Sequence, residues 1–262
     1  MVHQPLRPRG HKLGLLAALA LLLAGPAAAQ TTPTTTIERI KPSIVAVGTF
    51  ERLRNPQFSF AGTGFVVADG TVVATNEHVV GKLAASQSRA ILAVAVRSGS
   101  SLEIRPARRL ASDSSADLAL LKIEGRPLPA LFLGKSERVR EGETYLLTGY
   151  PIGAVLGLYP VTHRAMIAAV SPIAIPAPRA DKLDARSVRQ IATGAYSVFQ
   201  LDATAYPGNS GSPVYHPESG EVIGIVNSVL VKSTRESALA QPSGITYAIP
   251  AQKLLELLNQ GR

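Results

Sequence analysis

Short apolar runs separated by turn residues dominate the chain from residue 43 onward. Stretches rich in Val, Ile and Leu fall at residues 44–50, 64–68, 71–75, 91–97, 119–123, 144–148, 166–170, 199–202, 212–215, 222–231 and 245–249. Gly, Pro, Asp and Ser punctuate them. Strand-length runs at this spacing predict an all-β protein, a sandwich or a barrel. No long amphipathic helix interrupts the pattern. At the C-terminus Pro250 suits a first helical turn, and Leu254, Leu255, Leu257 and Leu258 share one helical face, so a short terminal helix is predicted. Residues 36–41 predict a helical turn stopped by Pro42. Residues 51–59 and 177–196 are polar and aperiodic and read as loops. The Gly- and Pro-bearing segment 125–134 reads as the connection between two halves. The expected divisions are a lead-in over 30–42, a first half over 43–125, a linker over 126–137, a second half over 138–249 and a helix over 250–262.

The first 29 residues follow another pattern. Arg7, Arg9 and Lys12 precede an apolar or glycine run over 13–24, then Gly25-Pro26 and three alanines. This is the pattern of a secretory signal peptide, with cleavage expected near Ala29. The run falls short of the ~20 residues that span a bilayer, so no integral span is expected in the mature protein. Hydrophobic residues make up 46% of the chain and charged residues 17%, a globular composition. Only 5% are aromatic, so aliphatic side chains must fill the core. There is no cysteine, hence neither a disulfide nor a lipid-modified cysteine. Export without disulfides fits a bacterial periplasm or secretion from a bacterium.

Loss of the three basic leader residues lowers the formal charge from +9 to +6. The remaining basic residues, among them Arg52, Arg54, Arg105, Arg108, Arg109, Arg138 and Arg140, are scattered. No aromatic residues interleave with them as in single-strand binders. They read as a solvated face, and no nucleic-acid partner is expected.

The candidate chemistry begins at Pro207-Gly208-Asn209-Ser210-Gly211-Ser212-Pro213. A nucleophilic serine needs an exposed hydroxyl and a backbone free to bend, which flanking glycines permit. The same bend aims the N–H groups of Gly208 and Ser210 at one point, where an oxyanion would form. Serine attacks only when a base takes its proton. Two of the five histidines lie in the leader, leaving His78, His163 and His216. His78 ends an apolar strand where scaffold meets loop. His163, beside Arg164, and His216 read as surface or turn residues. The base in turn needs an orienting carboxylate. Asp117 opens the apolar run Asp117-Leu-Ala-Leu-Leu-Lys-Ile. Asp113 reads as a turn former, and Asp202 as a structural hydrogen-bonder. The order His, Asp, Ser is that of chymotrypsin-type proteases.

The sequence resembles the HtrA (Deg) branch of trypsin-like serine proteases. The resemblance rests on Gly62-Thr-Gly-Phe-Val-Val67, Thr75-Asn-Glu-His-Val-Val80, Asp117-Leu-Ala-Leu-Leu-Lys122, Gly149-Tyr-Pro-Ile-Gly153, Gln200-Leu-Asp-Ala203, Gly208-Asn-Ser-Gly-Ser-Pro213 and Gly244-Ile-Thr-Tyr-Ala-Ile-Pro250. These span nearly the whole mature chain in the family's order. The resemblance implies two antiparallel six-stranded barrels, an active site between them and endopeptidase activity on unfolded or peptide substrates. It also implies no metal or organic cofactor, and self-association into homo-oligomers. The family usually continues into PDZ domains; here only residues 252–262 follow the Ala-Ile-Pro motif, so a chain without PDZ regulation is expected. Ser212 replaces the commoner glycine, and residues 161–165 lack a glycine often found there.

In trypsin-like enzymes the position of Thr204 holds a pocket-floor acid. An uncharged threonine predicts a small apolar pocket accepting Val, Ala or Leu, with substrate backbone pairing along Asn227, Ser228 and Val229. The alternative, a non-catalytic binding protein on this fold, is disfavoured because no triad residue is missing.

Overall fold

The computed structural model describes residues 32–84, 90–99, 101–172, 196–204, 206–227 and 244–261. The expected leader and most of the loop expected over 177–196 lie outside them. Among the described residues twelve strands form two closed, antiparallel, six-stranded barrels. The first contains β1 (Ile44–Phe50), β2 (Phe58–Val67), β3 (Val72–Thr75), β4 (Ile91–Ser98), β5 (Ser101–Asp113) and β6 (Leu118–Ile123), paired in the order β1-β2-β3-β6-β5-β4. The second contains β7 (Thr144–Gly149), β8 (Val161–Pro172), β9 (Ser197–Asp202), β10 (Pro213–Tyr215), β11 (Val222–Asn227) and β12 (Ile245–Pro250), in the order β10-β11-β12-β9-β8-β7. Among the described residues four α-helices accompany them: α1 (Pro33–Ile40), α2 (Glu77–Ala84), α3 (Gly153–Leu156) and α4 (Ala251–Gln260).

In β1, β3, β6 and β11 the apolar runs are continuous rather than alternating because these strands are buried on both faces. In β1, Val45 and Val47 point into the first barrel with Val66, Val73, Val94 and Leu121. Their neighbours Ile44 and Ala46 point the other way, into a core shared by both barrels with Phe65, Leu118, Tyr150 and Ile225. In the second barrel Leu147, Ile167, Phe199, Leu201 and Val226 fill the interior. Each fully buried aliphatic side chain contributes about 1.5–3 kcal/mol relative to exposure. The shared core therefore fixes one barrel against the other without disulfides.

Four expectations need correction. Strand β5 was not apparent: its sequence is arginine-rich, contains Pro106, and is mostly exposed. Within it Arg105 is buried, not part of a solvated face. Its guanidinium bonds both carboxylate oxygens of Glu103 and the carbonyl of Arg126. Strand β2 begins at Phe58, inside the segment read as a loop. On α4 the buried positions are Ala251, Leu254 and Leu257, while Leu255 is exposed. No helix among the described residues is long and apolar enough to cross a membrane.

Candidate active site

Asp117 is placed by a tight turn between β5 and β6. At the other end of the turn, Asp113 Oδ1 accepts from the backbone N–H and hydroxyl of Ser115 and from the N–H of Ala116. That side-chain-closed turn delivers Asp117 with φ 56°, a left-handed conformation aspartate tolerates better than most residues. Its carbonyl accepts from Glu77 N–H and from the buried Asn76 amide, both at 3.1 Å. Its carboxylate then meets the first turn of α2, where the free N–H groups and the dipole favour an anion. Oδ1 accepts from the His78 backbone N–H at 2.8 Å. Oδ2 accepts from His78 Nδ1 at 2.7 Å and from Asn227 Nδ2 at 2.8 Å.

The Asp117 side chain is 3% exposed and that of His78 16%. Three donors replace the water that burial removes from the carboxylate. Because Nδ1 faces the carboxylate it carries the ring proton, which leaves the Nε2 lone pair available as a base. The strand ends at Thr75, so His78 sits in the first turn of α2 and not at the end of the apolar strand, where it was expected.

Ser210 occupies a turn in which every peptide from Pro207 to Gly211 is held. The Pro207 carbonyl accepts from Ile152 N–H at 2.8 Å, and the Asn209 carbonyl from Ser212 N–H at 3.0 Å. In a planar trans peptide the N–H points opposite to the C=O. The N–H groups of Gly208 and Ser210 thus face away from those two partners. The Ser210 carbonyl accepts from Thr63 N–H at 2.9 Å, and Gly211 N–H donates to Val226 at 2.9 Å. The helix that carries His78 packs near this turn. A Cβ on Gly62 would stand 2.8 and 3.0 Å from the two methyls of Val79, the neighbour of His78, and 3.2 Å from the Ser210 carbonyl. On the other side Asn227, next to Val226, reaches Asp117. The turn is thereby bonded through β11 to the strand whose Asn227 holds Asp117, and through β2 it lies against Val79.

The trypsin-like peptidase domain family matches residues 62–225, from the start of this contact region into β11. The chain belongs to that family. It is 31% identical over 200 residues to a probable periplasmic serine endoprotease DegP-like of Ectopseudomonas mendocina, covering 76% of this chain and 34% of that protein. It is 29% identical over 202 residues to the putative serine protease HhoB of Synechocystis, covering 76% and 39%. The chain thus spans little more than a third of these relatives. Among solved structures, the HtrA-type protease AlgW with tripeptide superposes with a TM-score of 0.60 at 26% identity, covering 87% of this chain and 62% of that one. The serine endoprotease from Yersinia pestis superposes with a TM-score of 0.61 at 23% identity and supports the fold alone.

Other residues of this trypsin-like peptidase domain take varied places. Asn227 was expected to line the substrate strand; its side chain is fully buried and turned onto Asp117. Sequence alone gave no sign of this, because the contact joins residues 110 positions apart. Thr204 is half-buried between β9 and the serine turn. Ser228 and Val229 lie outside the described residues. His163 is not a surface or turn residue: it lies on β8, half-buried, and burial holds its pKa below the usual imidazole value. His216 closes the β10–β11 turn, its Nδ1 accepting from the N–H groups of Glu218 and Ser219. Asp202 is exposed at the end of β9. Among the described residues no group of three or more His, Cys, Asp or Glu is placed to hold a metal ion.

Proposed function

We propose that this chain is an exported serine endopeptidase that uses Ser210, His78 and Asp117 as its catalytic triad. The observation that supports this most is the Asp117 carboxylate. It accepts from the imidazole of His78 while Asn227 and the helix N–H hold it in place. In this mechanism Ser210 Oγ attacks the scissile carbonyl as its proton passes to His78 Nε2. The carbonyl electron pair moves to oxygen, which the N–H groups of Gly208 and Ser210 receive. Collapse of the tetrahedral species breaks the C–N bond, and His78 returns the proton to the departing amine. Water then repeats the cycle on the acyl-enzyme and frees the serine. Asp117 holds the Nδ1–H tautomer and stabilises the imidazolium that forms.

The substrates are unfolded proteins or peptides whose backbone pairs with residues 227–229. The uncharged Thr204 favours small apolar side chains before the cut. The leader pattern and the periplasmic names of relatives support export to a bacterial periplasm, for quality control or processing of envelope proteins.

A fluorophosphonate probe is expected to label the wild-type protein at Ser210 and to abolish its hydrolysis of casein, with Ser210→Ala neither labelled nor active. An unlabelled, inactive wild type, or an active Ser210→Ala, overturns the triad. Peptide-library cleavage is expected to return Val, Ala or Leu before the cut. A preference for Glu, Lys or Arg overturns the pocket while leaving the triad intact.

A further inference from the structure

We propose that Thr63, on β2 of the first barrel, is a positioning residue that sets the relative orientation of the two N–H groups expected to receive the oxyanion. The inference rests on the peptidase reading above but concerns a residue outside its triad and oxyanion donors. Thr63 is fully buried. Its Oγ1 donates to the Gly208 carbonyl at 2.7 Å and accepts from Tyr150 N–H at 3.0 Å. The direction is forced, since the Tyr150 amide has only a proton to offer. Its backbone N–H donates to the Ser210 carbonyl at 2.9 Å, and its carbonyl accepts from Thr75 Oγ1 at 2.7 Å. One residue therefore joins the strand leading to His78, the Tyr150 segment and both ends of Gly208–Ser210.

The geometry assigns the hydroxyl a particular task. The Gly208–Asn209 peptide lies between the two peptides that carry the Gly208 and Ser210 N–H groups. Fixing its carbonyl fixes the torsions on either side of it, and so the angle between those N–H groups. Gly208 has φ 104°, a region in which glycine alone is unstrained, so the local backbone does not select this arrangement unaided. The β-branched side chain restricts χ1, which keeps Oγ1 aimed. Tyr150 is itself anchored: burial pushes its phenol up to about 12, so the protonated hydroxyl donates to the Ile44 carbonyl.

Thr63→Val keeps the shape and removes the hydroxyl; Thr63→Ser keeps the hydroxyl. Removing an oxyanion donor outright typically costs about 100- to 1000-fold in turnover. Misaiming one should cost less, roughly 10- to 100-fold in kcat. Thr63→Val is expected to show that loss with KM within threefold of wild type. Affinity for a peptide boronate, which mimics the tetrahedral species, should fall in parallel with kcat. Thr63→Ser should recover most of both. The backbone amide NMR signals of Gly208 and Ser210 should move in Thr63→Val and stay in place in Thr63→Ser, whether or not the protein turns over substrate.

Unmoved amide signals overturn the inference, as does a kcat and boronate affinity within threefold of wild type. Failure of Thr63→Val to fold, together with failure of Thr63→Ala, also overturns it, because the hydroxyl would then be a requirement of the fold. An inactive, unlabelled wild type overturns the peptidase reading instead, and the amide signals still decide the role of Thr63.

Discussion

Asp117→Asn is expected to lose roughly 10⁴-fold in turnover near neutral pH while the chain still folds. The backbone should survive, because Asp117 stands at φ 56° and asparagine enters that region readily. The side-chain chemistry should not. The carboxylate receives three N–H groups, from the His78 backbone, the His78 ring and the Asn227 amide. An asparagine offers one oxygen, and its NH₂ would face two donors, the His78 ring and the Asn227 amide. The Asn227 amide relieves part of the conflict by turning its oxygen inward. The imidazole relieves the rest by shifting its proton to Nε2, so that Nδ1 accepts from the new amide. That tautomer has no lone pair left for the proton of Ser210. The stability cost should be that of one imperfectly paired buried group, about 1–3 kcal/mol. Peptide hydrolysis and urea unfolding measured on the same preparation separate the two effects. Turnover within tenfold of wild type would show that the carboxylate does not orient the base.

What the sequence disclosed follows from where each residue's partners lie. Eleven of the twelve described strands were visible as runs, several of them because double-sided burial gives uninterrupted Val, Ile and Leu, as in Ile44-Val45-Ala46-Val47. Strand β5 stayed hidden for the converse reason. It faces solvent for much of its length, so its arginines and Pro106 read as loop although its backbone pairs with both β4 and β6. The turn around Ser210 was legible because glycine and proline encode backbone geometry locally. The role of Asn227 was not, since it exists only once β11 of one barrel meets the β5–β6 turn of the other. Thr63 is an intermediate case: its place between two glycines was visible in the motif, while its hydrogen bonds to Gly208 and Ser210 required the second barrel. Motifs carried by local backbone chemistry were readable; contacts between the barrels were not.

The same contact between barrels makes Gly211→Ala the most damaging single methyl that can be added near the site. Its φ of 88° alone costs an alanine about 1–2 kcal/mol. In addition a Cβ there would stand 2.0 Å from the Thr63 carbonyl oxygen and 2.7 Å from Thr75 Oγ1. Neither atom can easily withdraw. Thr63 lies within β2, which is laddered to β1 and β3, and Thr75 Oγ1 is bonded to that same carbonyl. The turn must retreat instead, breaking the Ser210 carbonyl's bond to Thr63 N–H and the Gly211 N–H bond to Val226. Steric overlap together with two lost buried hydrogen bonds should exceed about 4 kcal/mol, enough to abolish cooperative folding in many domains. Gly142→Ala supplies the control: its φ is 87°, and nothing lies within 4 Å of the added methyl. That variant carries the backbone strain without the overlap and should lose only about 1–2 kcal/mol. Urea unfolding of the two variants side by side measures the difference. Equal losses would mean that backbone strain alone sets the cost and that the barrels separate at Thr63 without resistance.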